Sequence, residues 1–96
     1  MLIEIITPEA KIMSGVADAV QFPGLDGMFQ VLNNHAPIIS SLKEGEVKVN
    51  LESPLDSDED HHAAIRVDEK DGKVIYVKIN GGVVEMSHNK VIVLAE

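Results

Sequence analysis

Glu46-Val47-Lys48-Val49-Asn50-Leu51 and Val74-Ile75-Tyr76-Val77-Lys78-Ile79 are the two stretches on which the fold reading turns. Apolar side chains recur at every second position in each. A period of two marks a half-buried strand, because successive Cβ atoms point to opposite faces. Val47, Val49 and Leu51 therefore share one face and Glu46, Lys48 and Asn50 the other; Ile75, Val77 and Ile79 oppose Val74, Tyr76 and Lys78 in the same way. The same alternation sets Ala63, Ile65 and Val67 against His62, Ala64 and Arg66. Further strand-like segments, dominated by β-branched residues, fall near 2–7, 10–13, 16–22, 28–32, 83–87 and 90–95. Turn signals lie between them: Ser14-Gly15, Pro23-Gly24, Asp26-Gly27, Asp71-Gly72, Asn80-Gly81-Gly82 and His88-Asn89. No window shows a helical period, and a single helical turn is expected near Pro37–Lys43. The pattern predicts an all-β fold, an antiparallel β-sandwich or flattened barrel of about 8–10 short strands.

With 96 residues the chain is read as one domain, 1–96. It is 45% hydrophobic, too apolar for a disordered chain. Phe22, Phe29 and Tyr76 are the only aromatics, so the core is built from aliphatic side chains. The absence of cysteine excludes disulfides, thiolate zinc sites and a cysteine nucleophile, and points to a reducing cytoplasm. Apolar runs such as Val91-Ile92-Val93-Leu94-Ala95 fall far short of the ~18 residues of a spanning helix. Glu4 is the first charged side chain, so the start has no basic leader region. A net charge of −8 with few stacking rings argues against nucleic acid as a partner.

Most of that charge is local. Residues 52–72 hold eight acids and two bases, and the rest of the chain eight acids and six bases. This stretch reads as an acidic loop insertion between two strands. Its Asp56, Asp58, Glu59, Asp60, His61 and His62 are of metal-ligating types, but their spacing matches no calcium loop, so a solvated loop is the favoured reading and no metal site is expected. His35 has no nucleophile elbow near it and reads as a backbone-bonded histidine in a corner before Pro37. Gly24 and Gly27 lack the Lys and Ser/Thr of a phosphate loop and read as turn glycines. Gly81-Gly82 reads as a strand kink where a second backbone approaches closely. No catalytic residue, metal or cofactor emerges, and such a domain is expected to bind or to build rather than to catalyse.

The run Val20-Gln21-Phe22-Pro23-Gly24-Leu25-Asp26-Gly27-Met28-Phe29-Gln30-Val31-Leu32-Asn33-Asn34-His35-Ala36-Pro37 resembles a known family. With Ile6-Thr7-Pro8-Glu9, Ile12-Met13-Ser14-Gly15, Gly81-Gly82-Val83-Val84-Glu85 and Val91-Ile92-Val93-Leu94-Ala95-Glu96, it is similar to the N-terminal β-sandwich domain of the epsilon subunit of bacterial F-type ATP synthase. The resemblance covers about residues 2–49 and 74–96; the acidic stretch 52–72 matches no motif.

The resemblance implies a non-catalytic rotor part of the central stalk, peripheral at the cytoplasmic face of the bacterial inner membrane. Its partners are then the gamma subunit and the c ring, and its role the coupling of proton flow to ATP synthesis. It further implies that Asp26, Gly27, Met28 and the corner at His35 face the c ring. Asp26 suits a basic side chain and Met28 a soft apolar contact. An exposed apolar stripe is expected to face gamma, with Val74 and Tyr76 as candidates. The family usually continues into two helices; this chain stops at Glu96, and a naturally short form is the expectation. The alternative is a free-standing β-sandwich that binds a ligand or peptide, against which the scarcity of aromatics counts.

Overall fold

In the computed structural model, which describes residues 1–55 and 61–96, seven strands form one sheet that closes on itself. They are β1 (Leu2–Ile6), β2 (Lys11–Gly24), β3 (Gly27–Leu32), β4 (Ile38–Leu51), β5 (Ile65–Val67), β6 (Val74–Ser87) and β7 (Lys90–Ala95). The order is β1-β7-β6-β4-β2-β3, and a β1–β2 pairing closes the ring. β5 pairs with β6. All pairings are antiparallel except β1 with β7. The extents of 34 × 27 × 21 Å are those of a flattened barrel, as the alternation predicts.

The strands are fewer and longer than the turn signals suggest, because several of those signals lie inside strands. β2, β4 and β6 each run for 14 residues and bend from one layer to the other. Ser14-Gly15 is not a turn: the two residues pair with Glu4 and Ile3. Pro23 sits where the β2–β4 register shifts, a place that tolerates a missing N–H. The expected helical turn at Pro37–Lys43 is instead the start of β4, where Ile38 and Ile39 pair with Met86 and Glu85. β-Branched residues with a waiting partner strand favour the sheet, and Pro37 lies just outside it. Ala63 is exposed in a turn closed by Ile65 N–H to His62 O at 2.9 Å, so the alternation begins at Ile65.

Two tight turns behave as the sequence predicts. Leu25-Asp26 joins β2 to β3, with Gly24 opposite Gly27 and φ of 128° at Gly27. His88-Asn89 joins β6 to β7 with φ of 51° and 58°, the positive pair of a type I′ hairpin. Inside the barrel, Ile3, Ile5, Val20, Phe22, Val31, Val47, Val49, Ile75, Val77, Val84, Met86, Val91 and Val93 are buried. Phe22 and Phe29 are the aromatic pair of this core, with ring centroids 5.3 Å apart. Among the described residues no polar or charged side chain is buried, so the interior is purely apolar.

Candidate partner interfaces

With the inward parity spent on the core, the outward parity decides what the molecule can meet. Across β1, β7, β6 and β4 the register sets Ile6, Leu94, Val83 and Ser41 in one row. Glu4, Ile92, Glu85 and Ile39 form the next row, and Leu2, flanked by Val16 and Lys90, lies beyond it. Of the eight large hydrophobics exposed among the described residues, five (Leu2, Val16, Ile39, Val83 and Leu94) lie on this one face. Ile6 and Ile92 fill the gaps between them and are half-buried. Glu4 and Glu85 lie in the middle row beside Ile92, and Lys11 and Lys90 in the outer rows, so exposed apolar side chains cluster on this face with charges interspersed among them.

The outward side of the other half is different. Tyr76 pairs with Lys48 on β4 and Arg66 on β5, Val74 with Asn50, and Lys78 with Glu46. The Arg66 guanidinium lies 4.1 Å from the Tyr76 ring centroid and its Nη2 is 3.1 Å from Glu46 Oε1. Tyr76 is thus roofed by a side chain of the 52–72 segment itself, and both Val74 and Tyr76 are half-buried. These two candidates sit on a polar, self-covered face and not on the exposed apolar stripe.

The four residues expected at the c-ring end do not share an end. Asp26 is in the turn before β3 and His35 in the corner after it; five steps of extended chain separate Gly27 from Leu32, about 17 Å. At the first end, Asp26, Gly27 and Met28 are exposed, and Met28 is 66% accessible. The Leu25 N–H donates to Ser41 O at 3.3 Å, so this turn leans on β4 beside Ile39. A cleft of about 320 Å³ lies between Leu25–Gly27 and Ile39–Ser41. At the second end, His35 Nδ1 bonds Ala36 O at 2.7 Å and its N–H donates to Leu32 O at 3.2 Å. Asn34, at φ 63°, donates its N–H to Asn89 Oδ1 at 2.8 Å, and the Met1 amino group donates to Ala17 O and Asn33 Oδ1. His35 is thus a corner residue, and its neighbour Asn34 ties that corner to the β6–β7 turn.

Among the described residues no group of three His, Asp or Glu side chains is placed to hold a metal ion. Of the acid–His cluster, Asp56, Asp58, Glu59 and Asp60 lie outside the described residues. His62 is exposed and its Nδ1 accepts the Ala64 N–H at 3.0 Å. A cleft of about 610 Å³ lies between Ile12–Val16 and Leu51–Leu55, and Glu52 is the one charged residue among its described lining. No helix among the described residues is long and apolar enough to cross a membrane.

A family model described as the beta-sandwich domain of the ATP synthase Delta/Epsilon chain matches residues 1–96. The chain belongs to that family. An ATP synthase epsilon chain of Chlorobium limicola is 36% identical over 98% of this chain and 86% of its own length. One of Chlorobaculum tepidum is 37% identical with the same coverage. A longer epsilon chain, of Maridesulfovibrio salexigens, is 32% identical over 100% of this chain but 54% of its own. Among solved structures, a chain of the central stalk and c-ring of Tetrahymena thermophila mitochondrial ATP synthase superposes with a TM-score of 0.69. That match spans 99% of this chain and 62% of the other at 14% identity, a likeness of fold. As a member of the epsilon family the protein is a non-catalytic subunit and not an enzyme by itself.

Proposed function

We propose that the chain is a rotor part of the central stalk that links the gamma subunit to the c ring and so helps couple proton transport to ATP synthesis. In this reading it sits peripherally at the cytoplasmic face of the bacterial inner membrane. The observation that carries the gamma contact is the apolar face of β1, β7, β6 and β4, centred on Leu94 and Val83. A stable partner interface needs on the order of 800 Å² per side, and among the described residues this is the face on which exposed apolar side chains cluster. The Tyr76 face does not, because Arg66 and Glu46 already cover it. The c-ring contact is assigned to the turn Asp26-Gly27-Met28, which projects at one end with a carboxylate and a soft apolar side chain together. His35, at the far end of β3, is left out of that contact.

Co-expression with the cognate gamma subunit and gel filtration at micromolar concentration tests the first contact. The wild-type chain is expected to co-elute with gamma. Leu94→Glu buries an unpaired carboxylate at the centre of the contact and is expected to weaken binding at least about 100-fold. Tyr76→Ala is expected to bind as the wild type does. Co-elution surviving Leu94→Glu, or lost with Tyr76→Ala, overturns the assignment. The second contact is read separately: Asp26→Lys keeps the fold and gamma binding but reverses a rim charge, so its on-rate for the c ring falls. ATP-driven proton pumping in membrane vesicles is expected to drop several-fold, and unchanged pumping counts against it.

A further inference from the structure

Two carboxylates stand within the face assigned to gamma. The register sets Ser14, Glu4, Ile92, Glu85 and Ile39 side by side across β2, β1, β7, β6 and β4. Exposed apolar side chains lie on both sides of this row: Leu2 and Val16 two residues along the strands in one direction, Leu94 and Val83 two residues along in the other. Glu4 is half-buried, Glu85 is exposed, and the half-buried Ile92 separates them. Neighbouring strands lie roughly 4.8 Å apart, so the strands that carry the two carboxylates are roughly 10 Å from each other.

The chain does not neutralise this pair. Among the described residues the one ion pair joins Arg66 to Glu46 on the other layer, and neither Glu4 nor Glu85 takes part in it. Lys90 is one row away, opposite Leu2, and Lys11 is one row away on the other side, opposite Ile6. Two hydrated carboxylates are harmless on a free surface. A partner that lies on Leu94 and Val83 and also on Leu2 and Val16 covers the row between them. It then takes both carboxylates out of water, which is strongly unfavourable unless a charge of opposite sign meets them.

We infer that gamma presents an arginine to Ile92, between Glu4 and Glu85. This rests on the reading that gamma covers this face. The aliphatic stem of an arginine packs on Ile92, and its planar guanidinium, with five N–H donors, offers one edge to each carboxylate. A lysine ammonium is a compact point charge with no second edge to offer. The pair of carboxylates then fixes the register of gamma along the strands and selects the basic residue it must carry, as charge pairs do at interfaces.

Titration calorimetry with the cognate gamma subunit tests this on the wild type, Glu4→Gln, Glu85→Gln, their double variant, Lys90→Gln and Leu94→Glu. The direction of the affinity change separates the cases. With an arginine from gamma, each single Gln variant leaves a guanidinium edge without its carboxylate. Binding is expected to weaken at least about 10-fold in each, and at least about 100-fold in the double variant. Without a positive charge from gamma, the Gln variants escape the dehydration of a carboxylate and bind as well as the wild type or better, which overturns the inference. Lys90→Gln is expected to bind as the wild type does; a loss as large as that of the Gln variants shows that the chain supplies its own counter-charge, and overturns it too. Both glutamates point outward, so wild-type dichroism is expected throughout. Among alanine replacements of the surface arginines of gamma, one is expected to lose affinity that the double Gln variant no longer deepens. The absence of such an arginine overturns the inference. Binding lost with Leu94→Glu but kept in the Gln variants removes the arginine and leaves gamma on this face. Binding kept with Leu94→Glu removes the gamma-facing assignment and the arginine with it.

Discussion

Gly82→Ala is expected to leave the chain unable to hold its native sheet. Gly82 lies at the bend of β6, at φ 144°, opposite Ala95 at the end of the β6–β7 ladder. A Cβ there runs into the Leu94 carbonyl oxygen and comes within 2.9 Å of Ala95 Cα, both backbone atoms that no rotamer change can move. The positive φ alone costs about 1–3 kcal/mol for a residue with a Cβ. Displacing β7 adds the loss of its pairing and of the packing of Val91 and Val93, both fully buried. The sum is expected to exceed about 4 kcal/mol, a large share of the ~5–15 kcal/mol that holds a domain. Denaturant titration and far-ultraviolet dichroism read the loss. Gly15→Ala is the control: its Cβ meets only the flexible ends of Leu51 and Met13 at 3.7 Å, so stability is expected to change by less than about 1 kcal/mol. A Gly82→Ala variant as stable as the wild type shows that β7 yields easily at this point.

The sequence made the interior legible because a half-buried strand writes its core on one parity. Val47, Val49, Leu51, Ile75, Val77 and Ile79 were all placed inward by alternation and are buried. The close approach at Gly81-Gly82 was legible too, since two glycines within a β-branched run have few other uses. Strand boundaries were not, because a bend inside a 14-residue strand uses the same Gly, Pro and Asn that end one. The outer apolar face left a mark that alternation alone passes over. Val91-Ile92-Val93-Leu94-Ala95 is apolar on both parities, and Val83 and Val84 are adjacent. A strand apolar on both sides is one that expects cover on both. Reading Leu94 and Val83 against their buried neighbours locates the face that Tyr76 and Val74 do not provide. The opposite placement of Asp26 and His35 needed the register of β3, since nine positions along a chain say nothing about distance until the segment between them is known to be straight.

Phe22→Ala carries the second large effect and ties stability to the proposed c-ring contact. Phe22 is fully buried and heads the set of large enclosed side chains. Removing its ring leaves a cavity beside Phe29 and the buried aliphatic residues, at a cost of about 3–5 kcal/mol. For a domain of this size that lowers the melting temperature by more than about 10 °C. The loss falls unevenly. Phe22 pairs across the ladder with Phe29, and their rings lie 5.3 Å apart, so the β2–β3 hairpin loses the contact that seats it on the core. Gly24 already meets Phe29 so closely that an added Cβ would fall 2.9 Å from its ring, which shows how little slack the hairpin has. Amide exchange at Phe29 and Val31, whose N–H groups bond to β2, is therefore expected to accelerate more than in β6 and β7, whose core contacts are Val84, Met86, Val91 and Val93. If the turn Asp26-Gly27-Met28 meets the c ring, Phe22→Ala at a temperature where it remains folded weakens that contact while gamma binding at Leu94 is retained. Phe22→Leu, which refills most of the volume, is expected to recover most of both the stability and the coupling. Uniform acceleration of exchange through all seven strands would show instead that the hairpin and the barrel open as one unit.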